Sequence, residues 1–231
     1  MDKYVFEKIA GSKTYYLAKE EIASDLYVSL REFSDVLKDY LSFFVDAPVQ
    51  EYNALGFKPC FRSIPSNPSY VFTFNYTNTF EFLYNHTIID HIHGNTTSGI
   101  VLGINPDDRD NIETIDTTFL QFKKYFQRVY FKTDIFFLQS TEVIKNSPLN
   151  QEFTLYVIGH SLDSTDQDMI KKIFELPQAI RILYHNESSV KNQIKNLVEI
   201  YGKEGLDRLR ELKDLEFIHQ SEIQWKASEN N

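Results

Sequence analysis

The stretch Phe153-Thr154-Leu155-Tyr156-Val157-Ile158-Gly159-His160-Ser161-Leu162-Asp163-Ser164-Thr165-Asp166 decides how the chain is read. An uncharged run rich in β-forming side chains ends at a glycine, and acidic and hydroxyl residues then open a helical pattern over residues 166–175. Ile180-Arg181-Ile182-Leu183-Tyr184 reads as the next strand, residues 187–211 as a helix and residues 215–218 as a last strand. Continuous apolar strands alternating with helices predict an α/β fold, a mainly parallel Rossmann-like sheet with helices on both faces. Its crossovers are expected to be right-handed. Ligands in such sheets bind outside the carboxyl ends of the strands.

Upstream the same alternation continues. Tyr70-Val71-Phe72-Thr73-Phe74 reads as a strand, and Thr77 opens a helix through Tyr84. Residues 88–93 and 100–104 are short strand candidates divided by Gly94 and Gly99. Residues 117–146 hold two Phe-rich helical stretches separated near 132–134; Phe119, Phe122, Tyr125, Phe126 and Val129 have core spacing, and Lys123 and Lys124 a solvated one. Residues 55–69, with Gly56, Pro59, Pro65 and Pro68, read as an irregular connection. Residues 19–46 read as a long amphipathic helix on Ile22, Leu26, Leu30, Phe33, Leu37, Tyr40, Leu41 and Phe44, stopped by Pro48. The expected organisation is a helical segment over 1–50, an α/β domain over 51–219 with a helical insertion at about 114–147, and a loose tail over 220–231. The polar loops at strand ends are 75–78, 93–95 and 159–163, and all three are expected to open on one crevice.

The 231 residues are 42% hydrophobic, 25% charged and 15% aromatic, a globular mixture with ample material for a core. A net charge of −9 disfavours broad binding to nucleic acid or anionic lipid, while leaving room for a small basic pocket. Cys60 is the single cysteine, so no internal disulfide forms and a reactive role is not expected of it. The start is broken by Asp2, Lys3, Glu7 and Lys8 and has no signal-peptide core, and no apolar run approaches the roughly 18 residues of a membrane span. A soluble, cytoplasmic protein without a membrane partner is expected.

Three motifs occur in order: Phe74-Asn75-Tyr76-Thr77-Asn78-Thr79-Phe80-Glu81, His91-Ile92-His93-Gly94, and Gly159-His160-Ser161-Leu162-Asp163-Ser164-Thr165-Asp166. The ordered set, over roughly residues 69–185, resembles the AbiH abortive-infection (phage resistance) family. It is more distantly similar to the sirtuin-like NAD hydrolases of bacterial defence systems. The resemblance implies a sirtuin-like fold and a phage-defence role through hydrolysis or binding of NAD or a related nucleotide, with no metal. It implies Asn75 holding the nicotinamide ribose and attacking water, and His93 as general base, a task suited to imidazole near neutral pH. Ser161 and the Gly159 backbone would contact the dinucleotide. Tyr76, Gly94, Asp163 and Asp166 belong to the same motifs and count among the binding positions. Members of the family open with an Asn-Gly-Phe-Asp-like motif, and sirtuin-like enzymes with a Gly-rich turn. Nothing before Tyr70 matches either: Gly11 stands alone, and Gly56 precedes Pro59. The resemblance therefore implies a truncated or split member, its nucleotide-cradling segment supplied by a second copy or a second chain. A phage component is a further implied partner.

Plainer readings stand beside these. Asn75 suits a turn by satisfying nearby backbone groups, and Ser161 suits the start of one. His91 and His93, separated by Ile92, would share one face of a strand, with His91 structural. Thr165 with Asp168 resembles a capping box, and Asp166 and Asp168 would suit a helix N-terminus. Function has alternatives too. A non-catalytic nucleotide or phage-component sensor would need no base. A serine hydrolase would use Ser161 in an elbow-like turn with partners such as Asp207 and His219, although Asp163 stands where the elbow wants glycine. A metal-dependent phosphatase or nuclease would draw on His86, His91, His93, Asp90, Asp163 and Asp166.

Overall fold

A computed structural model describes residues 3–7, 14–55, 68–84, 89–104, 117–147 and 153–222. Gly56, Pro59, Cys60, Pro65, His86, Ile88, the ends of the 114–147 insertion at 114–116, and the tail from residue 223 lie outside them. Two compact units divide the chain, one from residues 1–58 and 72–134, the other from 59–71 and 135–231.

The second unit holds the alternation that opens the sequence reading. Strands β5 (Thr154–Val157), β6 (Ala179–Tyr184) and β7 (Leu215–His219) form a parallel sheet in that order. Helices α6 (Gln167–Glu175) and α7 (Glu187–Lys213) connect them. Parallel neighbours need such crossovers, because no hairpin can return the chain to the same end of the sheet. Ile180 and Ile182 of the central β6 are buried. Met169, Ile170, Ile173 and Phe174 of α6 and Leu197 and Ile200 of α7 are buried with them. The edge strand β5 turns Thr154 and Tyr156 outward, so its apolar run is covered on one side only. Asn186 starts α7 with a capping box: its side chain accepts Ser189 N–H at 2.8 Å, while Ser189 Oγ faces the Asn186 N–H at 3.2 Å.

The first unit begins with an antiparallel pair, β1 (Lys3–Glu7) and β2 (Thr14–Ala18), where a helical segment alone is expected over 1–50. Tyr4-Val5-Phe6 and Tyr15-Tyr16-Leu17 supply β-forming side chains on either side of Gly11. Helix α1 (Lys19–Leu41) follows and runs into a π-helical turn, Ser42–Asp46, and then α2 (Ala47–Ala54). Pro48 does not stop this helix. It sits in the first turn of α2, directly after the π turn.

Strand β3 (Val71–Thr73), helix α3 (Thr79–Tyr84) and strand β4 (Ile89–His91) carry the first two motifs, with β3 beside β4. A 3-10 segment, Thr117–Phe122, leads to α4 (Lys124–Phe131), and Lys132, in left-handed backbone, separates α4 from α5 (Ile135–Asn146) of the second unit. The expected strand at 100–104 is absent. Only Ile104 forms a parallel bridge, to Lys123, while Leu102 is satisfied by a side chain: Gln127 Oε1 accepts Leu102 N–H at 2.8 Å and Gln127 Nε2 donates to Leu102 O at 2.6 Å. Among the described residues the strands thus form sheets of two, two and three. The architecture is mixed α/β with parallel strands.

Ile182→Ala should lower the unfolding free energy by about 2–5 kcal/mol, because the void opens in the middle of β6. Tyr156→Ala, on the open side of β5, should cost much less. Urea denaturation of both variants checks the ordering, and equal losses would contradict the one-sided cover of this sheet.

Candidate functional site

The loop after β3 is held from several sides. Thr73 Oγ1 accepts the Asn75 N–H at 3.1 Å, Tyr76 O accepts the Thr96 N–H at 2.9 Å, and the Tyr76 hydroxyl donates to Val101 O at 2.9 Å. Asp46 then anchors the far end. Its carboxylate accepts the Asn78 N–H at 2.9 Å, the Asn78 side-chain amide at 3.0 Å and the Thr96 hydroxyl at 2.6 Å, and the Asn78 amide also donates to Thr96 Oγ1 at 2.8 Å. Asp46 is 7% exposed, and a buried carboxylate is tolerated when its lone pairs are filled in this way. The π turn makes the contact possible. One extra residue per turn brings Asp46 toward the covered side of the helix, the side of Ala23 and Ser34. Asp46 was not among the residues expected from sequence. An α-helix running unbroken to Pro48 points it elsewhere, and only the π turn reveals it.

Held at both ends, the loop presents Asn75 to solvent, and the Asn75 side-chain amide makes no hydrogen bond among the described residues. Tyr76, expected to bind ligand, spends its hydroxyl on Val101.

His91 and His93 are not on one strand face. β4 ends at His91, and Gly94 N–H donates to His91 O at 3.0 Å, so Ile92 and His93 lie in a turn where period-2 geometry no longer holds. The His93 ring packs edge-on against Phe74 at 5.3 Å and tilted to Tyr76 at 6.4 Å, and the residue is 4% exposed. Its carbonyl accepts Val101 N–H at 2.9 Å. Gly94 has φ +74, and a Cβ there would lie 1.7 Å from Gly99 O, so no other residue fits this turn.

His91 is structural. Nδ1 lies 2.9 Å from Asn75 O and Nε2 2.5 Å from Glu81 Oε1. Both partners are acceptors, so the ring serves both only as the doubly protonated imidazolium. Burial works against that charge, but the bonds to Glu81 and to the Asn75 carbonyl, with the charges of Glu81 and Asp46, outweigh it and raise the pKa above its ordinary value. Both ring nitrogens of His91, named for the metal-hydrolase alternative, are thus engaged, by Asn75 O and Glu81.

Gly159, Ser161, Asp163 and Asp166 belong to the second unit and form a strand-to-helix loop of their own. Gly159 has φ +67 with no atom within 4 Å of where a Cβ would stand, which leaves its backbone open to approach. His160 Nδ1 accepts Leu162 N–H at 2.9 Å, which leaves Nε2 toward Asp166 Oδ2 at 3.9 Å. Leu162, not Ser161, takes the left-handed conformation, with φ 58. Helix α7 braces the loop, with Gln193 Nε2 donating to His160 O at 3.1 Å and Asn196 Nδ2 to Ser161 O at 2.9 Å. Ser161 is exposed. Asp163, rather than Thr165, is the cap: it accepts Thr165 N–H at 2.9 Å at the start of a 3-10 turn, Ser164–Asp166. That turn displaces the helix start and with it the expected Thr165–Asp168 capping box. The ring nitrogens of His219, named for the serine-hydrolase alternative, face Ser221 Oγ at 2.6 Å and His185 O at 3.1 Å rather than Ser161.

A family model described as bacteriophage abortive infection AbiH matches residues 2–185. The match takes in all three motifs and also the residues before Tyr70. No curated protein and no solved structure matches the chain. No described helix is long and apolar enough to cross a membrane.

Two outcomes test this geometry. Asp46→Ala should cost about 1.5–3 kcal/mol of stability, since it strands the Asn78 donors in a buried site, and urea denaturation reads it. The raised pKa of His91 fixes a sign: the folded state holds the proton more tightly, so its contribution is complete below the unfolded value of about 6.5 and is lost as pH rises through the folded value. The stability gap between wild type and His91→Gln should therefore be widest in mild acid and shrink with rising pH. A gap that grows with pH would refute the imidazolium assignment.

Proposed function

The chain belongs to the AbiH family of bacteriophage abortive infection proteins, and we propose on that premise that it acts by binding and hydrolysing NAD or a related nucleotide. The observation that carries this reading is the strand-end loop of the first unit. Asp46, Thr96 and His91 hold it rigid, yet the Asn75 amide at its exposed position is uncommitted, the usual disposition of a ligand-binding side chain on a rigid scaffold. Within the second unit, Gly159 has open space beside its backbone and Ser161, two positions on, is exposed. Asp163 and Asp166 keep their local roles as cap and His160 neighbour, and Tyr76 keeps its bond to Val101.

The reaction would break the bond between the ribose anomeric carbon and the nicotinamide nitrogen and form one from that carbon to a water oxygen. ADP-ribose and nicotinamide leave, and the proton of the water passes to His93. Asn75 would hold the ribose and the water. A sirtuin-like arrangement of the sheet belongs to the same proposal; its support is the β5-α6-β6-α7-β7 alternation together with the three ordered motifs.

A second reading has its own observation. His93 is 4% exposed against Phe74 and Tyr76, a poor position for a base but a good one for a residue that shapes a recognition loop. The chain would then sense a nucleotide or phage component without turning it over.

The test is NAD loss on incubation with purified protein. Wild type should consume NAD; His93→Gln should slow the loss by about 10²–10⁴-fold, and Asn75→Ala, which keeps the backbone bonds to Thr73 and His91 and removes only an exposed side chain, should weaken it without lowering the melting temperature. NAD binding without loss, with and without phage lysate, would favour the sensor. Neither binding nor loss would overturn the nucleotide reading.

A further inference from the structure

Helix α1 turns its best apolar face outward. Its buried residues are Ala23 and Ser34, with Tyr27, Leu30 and Leu37 half-buried beside them. One row further round, Leu26, Phe33 and Tyr40 follow at intervals of seven, more than half exposed, with Val36 66% and Phe43, in the π turn, 71% exposed. These occupy the a and d positions of a heptad seam, interrupted only by Ser29. An exposed stripe of this extent differs from the scattered apolar residues of an ordinary surface. The adjoining row is Asp25, Glu32 and Asp39, all exposed, again at intervals of seven. That is position g, which selects the partner in paired helices. Leu26, Leu30 and Phe33 also line an open, mostly apolar pocket of about 630 Å³ together with Ile104, Phe119, Phe122 and Lys124.

We propose that this seam docks a basic amphipathic helix of another protein. Its apolar stripe packs on Leu26, Phe33, Val36, Tyr40 and Phe43, its lysine or arginine side chains pair with Asp25, Glu32 and Asp39, and one bulky apolar residue enters the pocket as an anchor. Charge argues for this occupant over a second copy. Antiparallel pairing of two α1 helices sets position g against position g, bringing one acidic row against the other. Parallel pairing sets g against e, where Leu30, Leu37 and Phe44 offer no cation. A net charge of −9 repels a second copy further. The same acidic edge repels an anionic membrane. A basic helix meets both the apolar seam and the edge.

The test uses the full chain and synthetic peptides of about four heptads with Leu at a and d. One carries Lys at e and g, a second carries Glu there, and a third keeps the Lys but has Ser at a and d. By fluorescence anisotropy, wild type should bind the Leu/Lys peptide at one per chain and at least about tenfold more tightly than either of the others. The triple variant Asp25→Lys, Glu32→Lys, Asp39→Lys changes exposed positions only and should keep its circular dichroism and melting temperature. It should reverse the preference toward the Leu/Glu peptide. Equal binding of the Lys and Glu peptides, binding of the Ser/Lys peptide as tight as that of Leu/Lys, or a triple variant with unchanged preference would overturn the proposal. A dimer in sedimentation velocity that Phe33→Glu dissociates would also overturn it, by giving the seam to a second copy.

Discussion

The Asp46 carboxylate is the interaction on which the first unit's site depends. It takes hydrogen bonds from Asn78 twice and from Thr96, and so ties the end of a long helix to both the loop after β3 and the turn after β4. A charged acceptor in a buried position is stable only while every donor stays in place, so the three segments hold together as one unit. Asn75 benefits without taking part. Its neighbours Thr73, Tyr76 and Asn78 are each bonded, and the one side chain left uncommitted in the loop is the one turned to solvent.

The second unit solves the same problem with neutral groups. Two amides of α7, Gln193 and Asn196, reach the carbonyls of His160 and Ser161, while the His160 ring accepts from Leu162. Here the strand-to-helix loop is positioned by the helix that follows the next strand. Substitutions in α7 would thus move the Gly159–Ser161 backbone although α7 itself contributes no expected site residue.

What could be read in the sequence was what periodicity encodes. The runs at 154–157, 179–184 and 215–219 are apolar enough to fix β5, β6 and β7, and α6 and α7 carry clear helical spacing. The family and its motifs were legible for a different reason, the order of three short polar segments. What stayed hidden depended on single long-range contacts. Residues 100–104 look like a strand, yet pairing stops at the single bridge of Ile104 to Lys123, because Gln127 takes both backbone groups of Leu102. His91 and His93 look like face-sharing neighbours, but the Gly94 turn begins between them. Thr165 looks like a cap, but a 3-10 turn moves that role to Asp163. The pair β1 and β2 was missed because two five-residue runs around one glycine leave little pattern to detect. The Asp46 network was invisible because helical spacing alone points Asp46 away from the residues it binds.

The π turn at Ser42–Asp46 works as a change of reading frame within one continuous rod. Upstream of it, the helix faces outward with one phase; downstream, the shifted phase turns Asp46 inward. The two phases cannot be reconciled by any residue choice at fixed length. A family member shorter by one residue between 42 and 45 would regain an unbroken α-helix and forfeit either the carboxylate under the loop or the outward seam. Chain length in this short interval is therefore as much a determinant as side-chain identity, and a gap there would separate members that share the arrangement from those that do not.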